Sequence, residues 1–368
     1  MQTSREAIDR LLRNKPPFER IGLSDYVWED TAEKWVREEG YPTDEEGKPI
    51  WCEHYFGFDL CGADGGIQFL PFYGEGAEEV VDETDEWKIT RNGAGAALKY
   101  WKSKSGTPEH VDFKMISRKI WERDYRPQLL VVDRSRLDIE ETKKNLQTRR
   151  EEGFWTHYGL GCVWETMRCS MGDICMFESL VLDPAWIHDF NRVYTDFYKA
   201  HFKILIEEAG VPDGMWIYED LGYRNGLYCS PKVLEELIFP YYSELVAFFH
   251  SYNLPVVLHA CGNISEAVPL VVEAGFDALN PMEVKAGCDI FSFAEKYADK
   301  LAFIGGLDAR ILESGDEDVI RTGVSLLIEG MKKRRARYVF GSDHSISTNV
   351  TLASMKFAHE VYREHMYY

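Results

Sequence analysis

The stretch Pro255-Val256-Val257-Leu258-His259-Ala260-Cys261-Gly262-Asn263 is a short apolar run that ends in an imidazole, a thiol and an amide. Its apolar part predicts a strand over 255–258, and residues 265–274, closed by Gly275, read as the helix that follows. The same unit recurs on both sides. Upstream, a helix over 184–209, opened by Asp183-Pro184 and closed by Gly210, precedes a strand over 215–218. A helix over 231–252 comes next, with Ser230-Pro231 as its cap and first position. Downstream, strands over 278–280, 301–304 and 338–340 alternate with helices over 290–297, 316–335 and 351–365. Short apolar strands alternating with helices predict parallel β/α units. Five units in succession, with no G-x-G-x-x-G after any strand, indicate an α/β fold of the (β/α)8 TIM-barrel class rather than an open nucleotide-binding sheet.

The pattern is less regular before about Phe154. A helix is expected over 4–13, a strand within 20–28 and a helix over 30–39. Residues 86–90 and 97–101 flank Asn92-Gly93, a hairpin signal. Residues 109–150 are charged and read as mainly helical. The barrel is thus expected to carry an N-terminal helical and β-hairpin extension. Residues 1–150 hold that extension and the first barrel elements, residues 151–368 hold the main barrel portion, and the whole forms one structural domain.

The chain carries 42 Lys and Arg against 62 Asp and Glu, a formal charge of −20. That balance argues against nucleic acid and anionic membranes as partners, since both are polyanions. There is no apolar run long enough for a membrane span and no signal-peptide pattern in residues 1–20, so a cytoplasmic protein is expected. Eight cysteines without a C-x-x-C pair then read as reduced thiols rather than a disulfide framework.

The chemistry is concentrated where the strands end. Glu219-Asp220, His259-Ala260-Cys261-Gly262-Asn263, Asn280-Pro281-Met282-Glu283, Gly305-Gly306-Leu307-Asp308 and Gly341-Ser342-Asp343-His344 each follow a strand. In a barrel these ends converge on one face. His259 and Cys261 are two residues apart, so on an extended segment both point the same way and suit Zn2+. His344 is the candidate third ligand and Glu219 a fourth. The alternative is a His259 that hydrogen-bonds substrate or backbone beside a buried Cys261. Carboxylates also cap helices, which is the simple account of Asp308 and Asp343. Capping explains Glu219-Asp220 poorly, and an acid in a desolvated mouth can serve as a proton donor. The aromatic residues of the loops, among them Trp155, Tyr158, Trp164, Tyr218, Tyr223 and Tyr228, pack the core or line the mouth for a flat or apolar substrate.

These motifs resemble the uroporphyrinogen decarboxylase superfamily. Leu258-His259-Ala260-Cys261-Gly262-Asn263 is similar to its L-H-x-C-G-N segment. Asn225-Gly226-Leu227-Tyr228-Cys229-Ser230-Pro231 with Phe239-Pro240-Tyr241, and the 280–283, 305–308 and 341–346 motifs, fall in its order. The resemblance runs from about Phe154 to the C-terminus and implies a (β/α)8 barrel. It implies one of two chemistries. Decarboxylases of a tetrapyrrole work without metal and carry an arginine-rich R-Q-A-G-R-like motif, in whose place stands Ile21-Gly22-Leu23-Ser24-Asp25-Tyr26-Val27-Trp28. The other chemistry is that of the cobalamin-dependent methyltransferases, of which those acting on thiols bind zinc through H-x-C and a distant cysteine; aligned on Ile346, His344 takes that cysteine's place.

The resulting expectation is a corrinoid-dependent methyltransferase that moves a methyl group between a small methylated substrate, such as a methoxylated aromatic undergoing O-demethylation, and a corrinoid-binding partner protein. His259, Cys261 and His344 would hold zinc; Asp220, Glu219 and His259 would be catalytic. Asn263, Glu283, Asp308 and Tyr223 would contact the small-molecule methyl donor or acceptor. A metal-free uroporphyrinogen decarboxylase-like lyase and a non-catalytic tetrapyrrole or corrinoid carrier are the alternatives.

Overall fold

The computed structural model describes residues 2–103 and 106–368. Its strands, in chain order, are β1 (Gly22–Leu23), β2 (Leu60–Gly62), β3 (Glu79–Glu83), β4 (Trp87–Arg91), β5 (Ala96–Trp101) and β6 (Glu109–Phe113). They continue as β7 (Trp155–Gly161), β8 (Gly214–Tyr218), β9 (Gly222–Tyr223), β10 (Gly226–Leu227), β11 (Val256–Ala260), β12 (Ala278–Pro281), β13 (Ala302–Ile304) and β14 (Arg337–Phe340). Eight of them lie in the order β1-β14-β13-β12-β11-β8-β7-β2, and every ladder in that sheet is parallel. Spatial order therefore follows chain order around a (β/α)8 barrel. The seam between β1 and β2 is bridged by Asp59, whose amide donates to Leu23 O at 2.8 Å while its carboxylate accepts from Leu23 N at 2.7 Å.

Strand alternation sorts the core. Leu60, Trp155, Trp216, Val257, Ala278, Ala302, Ile304 and Val339 form a cluster inside the ring. Leu258, Leu279, Phe303, Tyr338 and Phe340 belong to the larger cluster that includes the helices. The helix Ser4–Leu12 is held at its start by a Thr3–Glu6 capping box. It adds Ile8, Leu11 and Leu12 to the inner cluster. Its last carbonyls, Leu11 O and Leu12 O, accept from Arg337 at 3.0 and 3.1 Å. Because Arg337 opens β14, this helix plugs the end where the strands begin and leaves the opposite end open.

Four sequence expectations change. The strand within 20–28 shortens to two residues, with Val27 bridging Ile346 beyond it. The Asn92-Gly93 hairpin is real, but it is the middle of a four-stranded antiparallel sheet, β3-β4-β5-β6. Residues 109–113 are its edge strand and not helix; the charged residues of β6 are tolerated because this strand is largely exposed. The long helix over 231–252 is two helices, Pro231–Leu237 and Phe239–Ser251. Pro240 lacks the amide that would continue the first helix, so the break falls at Ile238 (φ −119°, ψ −55°).

Candidate active site

The open end of the barrel contains a cavity of about 580 Å³. Residues on or just after seven of the eight barrel strands, all but β13, line it, including Asp25, Cys61, Tyr218, Asp220, His259 and His344. Alternation explains the selection. His157, Tyr218, His259 and Asn280 each stand two residues beyond an inner-cluster residue, so they continue the inward row past the packed layer. Parallel register sets His259 opposite Asn280 on one side and Tyr218 on the other.

At its centre, His259 Nδ1 lies 2.6 Å from Asn280 Oδ1. The Asn280 amide donates to Ile304 O at 3.1 Å. That donation turns the Asn280 oxygen toward His259, so Nδ1 carries the proton and the Nε2 lone pair is free. Nε2 faces Cys261 Sγ at 3.3 Å and Asp220 Oδ1 at 3.8 Å. Asp220 Oδ1 also accepts the Cys261 amide at 3.0 Å. Burial lowers the His259 pKa and keeps the ring neutral, against the pull of Asp220. Burial, reinforced by Asp220 and Glu283, pushes the Cys261 thiol well up, so without a cation it holds its proton.

Cys261 is shared by two groups of candidate ligands, one with Asp220 and His259 and one with Glu283 and His344. Within each group the donor atoms lie within 4.8 Å of one another, whereas the expected set of His259, Cys261 and His344 does not come together as one such group. A neutral imidazole with a free lone pair, a thiol and carboxylates form a donor set suited to Zn2+. Glu283 is fixed by the Gly262 amide at 2.8 Å and faces Lys285 at 3.5 Å.

Other predicted residues stand elsewhere. Glu219 is fully buried on the helix side of β8. It accepts from Trp164 N at 2.8 Å, Glu165 N at 3.4 Å and the Tyr242 hydroxyl. Burial holds its carboxyl well above the usual range. It therefore ties the barrel wall together and does not line the cavity. Asp308 caps the helix Ala309–Glu313 and pairs with Arg310. Asp343 accepts Val284 N at 2.8 Å and Ala309 N at 2.9 Å, anchoring two neighbouring loops. Asn263 Oδ1 accepts from Ser265 N, and Tyr223 packs on Tyr228 with centroids 5.5 Å apart; neither lines the cavity. Trp155, Tyr158 and Trp164 are core residues.

Sequence reasoning missed Asp25, Asn280 as the His259 partner, and His157. Asp25 accepts from Ser342 N at 2.9 Å and Ser342 Oγ at 2.5 Å. Burial raises its carboxyl to about 7, against those hydrogen bonds. The strand-end rule that flagged Asp220 applies to it equally, but a two-residue strand leaves little periodicity to read. Glu165, at the start of the helix Val163–Leu182, is likewise raised to about 7 by burial although Arg168 lies 2.8 Å away.

The sequence model of the uroporphyrinogen decarboxylase (URO-D) family matches residues 170–365. No curated protein matches the chain by sequence. Among solved structures, a methyltransferase from Methanosarcina mazei superposes with a TM-score of 0.66 at 14% identity, covering 99% of each chain. At that identity the likeness carries the fold. Among the described residues no helix is long and apolar enough to cross a membrane.

Proposed function

The chain belongs to the uroporphyrinogen decarboxylase (URO-D) family, and from that premise we propose that it is a methyltransferase that moves a methyl group between a small methylated substrate and a corrinoid protein. The observation that carries this reading is the His259–Cys261 pair, with Nε2 and Sγ facing each other at 3.3 Å and the tautomer fixed by Asn280. Cys261 would hold zinc with either His259 and Asp220 or Glu283 and His344, the two sets sharing only the thiol. Zinc bound there supplies a Lewis acid for the heteroatom that loses or gains the methyl group. The corrinoid partner supplies the nucleophile that accepts the methyl.

The chain's own residues then do three things. Asn280 holds His259 in the ligand-competent tautomer. Asp220 fixes the Cys261 backbone and stands beside both ligands, placed to receive the proton that the thiol must lose on binding a cation. Asp25, with its raised carboxyl, faces the cavity from the opposite strand end and is able to deliver a proton to an oxygen or nitrogen leaving group. The open barrel mouth gives a partner domain a route to the substrate. A decarboxylase-like lyase would need cations for the carboxylates of a tetrapyrrole, and among the described residues no lysine or arginine lines this cavity.

The test combines metal analysis with transfer. Protein purified with zinc should contain about one equivalent and convert cob(I)alamin to methylcobalamin with a suitable methyl donor. Cys261→Ser and His259→Ala should lose most of both. Full transfer by chelator-treated, zinc-free protein, or turnover of uroporphyrinogen, would overturn the reading.

A further inference from the structure

The lining of the mouth cavity has a distinctive charge. Tyr26 and Trp28, from the loop after β1, meet edge to face with ring centroids 5.5 Å apart. Trp216 and Tyr218, two residues apart on β8, have centroids at 6.3 Å, and Tyr218 lies 5.5 Å from the His259 ring. Asp25, Glu53 and Asp220 complete the wall. His157 also lines it, and burial lowers its pKa to about 4, so it adds no positive charge near neutrality. Lys285 faces Glu283 and is not part of the lining. Among the described residues the cavity thus combines four aromatic rings with the carboxylates of Glu53 and Asp220, the raised carboxyl of Asp25 and no Lys or Arg.

Such a wall discriminates by charge. Aromatic faces carry negative potential and attract a cation held over them, most strongly when it is desolvated. An anionic substrate would meet like charge and find no lysine or arginine in the lining to pair with. A quaternary ammonium has no N–H to donate, so ring faces and nearby carboxylates suit it better than directed acceptors do.

We propose that the methyl donor is a quaternary methylammonium compound whose onium head binds against Tyr26, Trp28, Trp216 and Tyr218. This rests on the methyl-transfer reading of the same site. The carbon–nitrogen bond breaks with its electron pair remaining on nitrogen. The quaternary nitrogen has no lone pair to coordinate before that, so zinc would meet only the departing neutral tertiary amine, and no proton from Asp25 is needed. The pair for the new methyl–cobalt bond comes from the reduced corrinoid of the partner, whose cobalt is formally oxidised by two electrons.

Isothermal titration of the full chain tests this with tetramethylammonium, choline, 3,3-dimethylbutan-1-ol (the carbon isostere of choline), 2-methoxyphenol and benzoate. Tetramethylammonium and choline should bind, choline at least tenfold more tightly than its isostere, and benzoate should not bind. Tyr26 is largely exposed and Trp28 partly so, so Tyr26→Leu with Trp28→Leu should fold and weaken choline at least tenfold. Tyr26→Phe with Trp28→Phe should keep most of the affinity. The proposal is overturned if neither ammonium binds, if the isostere matches choline, or if the leucine pair leaves choline binding unchanged. Methyl transfer from 2-methoxyphenol without ammonium binding would sink this inference and spare the methyltransferase reading. Zinc-independent activity would sink that reading whatever binds.

Discussion

At the scale of single residues, the centre of the site depends on a hydrogen-bond relay. Ile304 O fixes the Asn280 amide, the Asn280 oxygen fixes the His259 tautomer, and His259 then presents Nε2 to Cys261. Asn280→Ala removes the relay without touching a ligand. Zinc affinity, measured by competition with a chelator of known affinity, should fall about 10–100-fold, and Asn280→Asp, which keeps an acceptor, should fall less. Unchanged affinity in Asn280→Ala would show that the relay does not orient the ligand. The fate of Glu219 also belongs to this scale. Tyr218 and Asp220 share the inward face and Glu219 takes the other, because successive side chains of a strand alternate. The adjacent acids were legible in the sequence as a pair; their opposite roles follow from which face of β8 meets the cavity.

At the scale of elements, the loop that carries Cys261 is shaped by a close backbone approach. Gly262 has φ +80°, and a Cβ there would lie 2.2 Å from Gly222 C. The obstacle is the backbone of β9, from Gly222 to Tyr223, so it cannot rotate away as a side chain could. Gly262→Ala should cost about 2–5 kcal/mol in urea unfolding, from left-handed strain plus overpacking. It should also displace Cys261 and reduce zinc binding. Gly161→Ala, where an added Cβ meets nothing within 4 Å, should change stability by less than about 1 kcal/mol. Equal effects at the two positions would refute the close-approach account. The edge strand β6 shows the converse limit of sequence reading: residues 109–113 are charged and exposed, and without burial on one face they show no clear period.

At the scale of the whole molecule, the barrel closes at its weakest seam through one buried ion pair. Arg20 and Asp59 are 7% and 2% exposed, and the guanidinium donates to both carboxylate oxygens at 2.8 and 2.7 Å. Asp59 also bridges β1 to β2. Asp59→Ala leaves a buried cation uncompensated and opens that seam, so chemical denaturation should show a loss of about 3–5 kcal/mol. Replacing both partners, Arg20→Met with Asp59→Leu, should recover part of that loss. A double variant no more stable than Asp59→Ala would mean that the backbone bridge, not the charge, holds the seam.

The sequence by itself determined the barrel class and the rim on which the chemistry lies. Strand–helix alternation is local, and polar residues after apolar strands are visible without knowing what the strands pair with. It also determined that His259 and Cys261 share a face, because that depends only on their spacing. Tertiary structure decided which rim residues meet: His344 and Glu283 come within reach of Cys261, Asp308 and Asn263 do not, and Asp25 enters from a strand too short to announce itself. It also decided the aromatic and acidic wall, whose members come from positions 25–28, 53 and 216–220. Those proximities are set by ring closure and inter-strand register, which join segments far apart in the chain and leave no periodic trace in either segment alone.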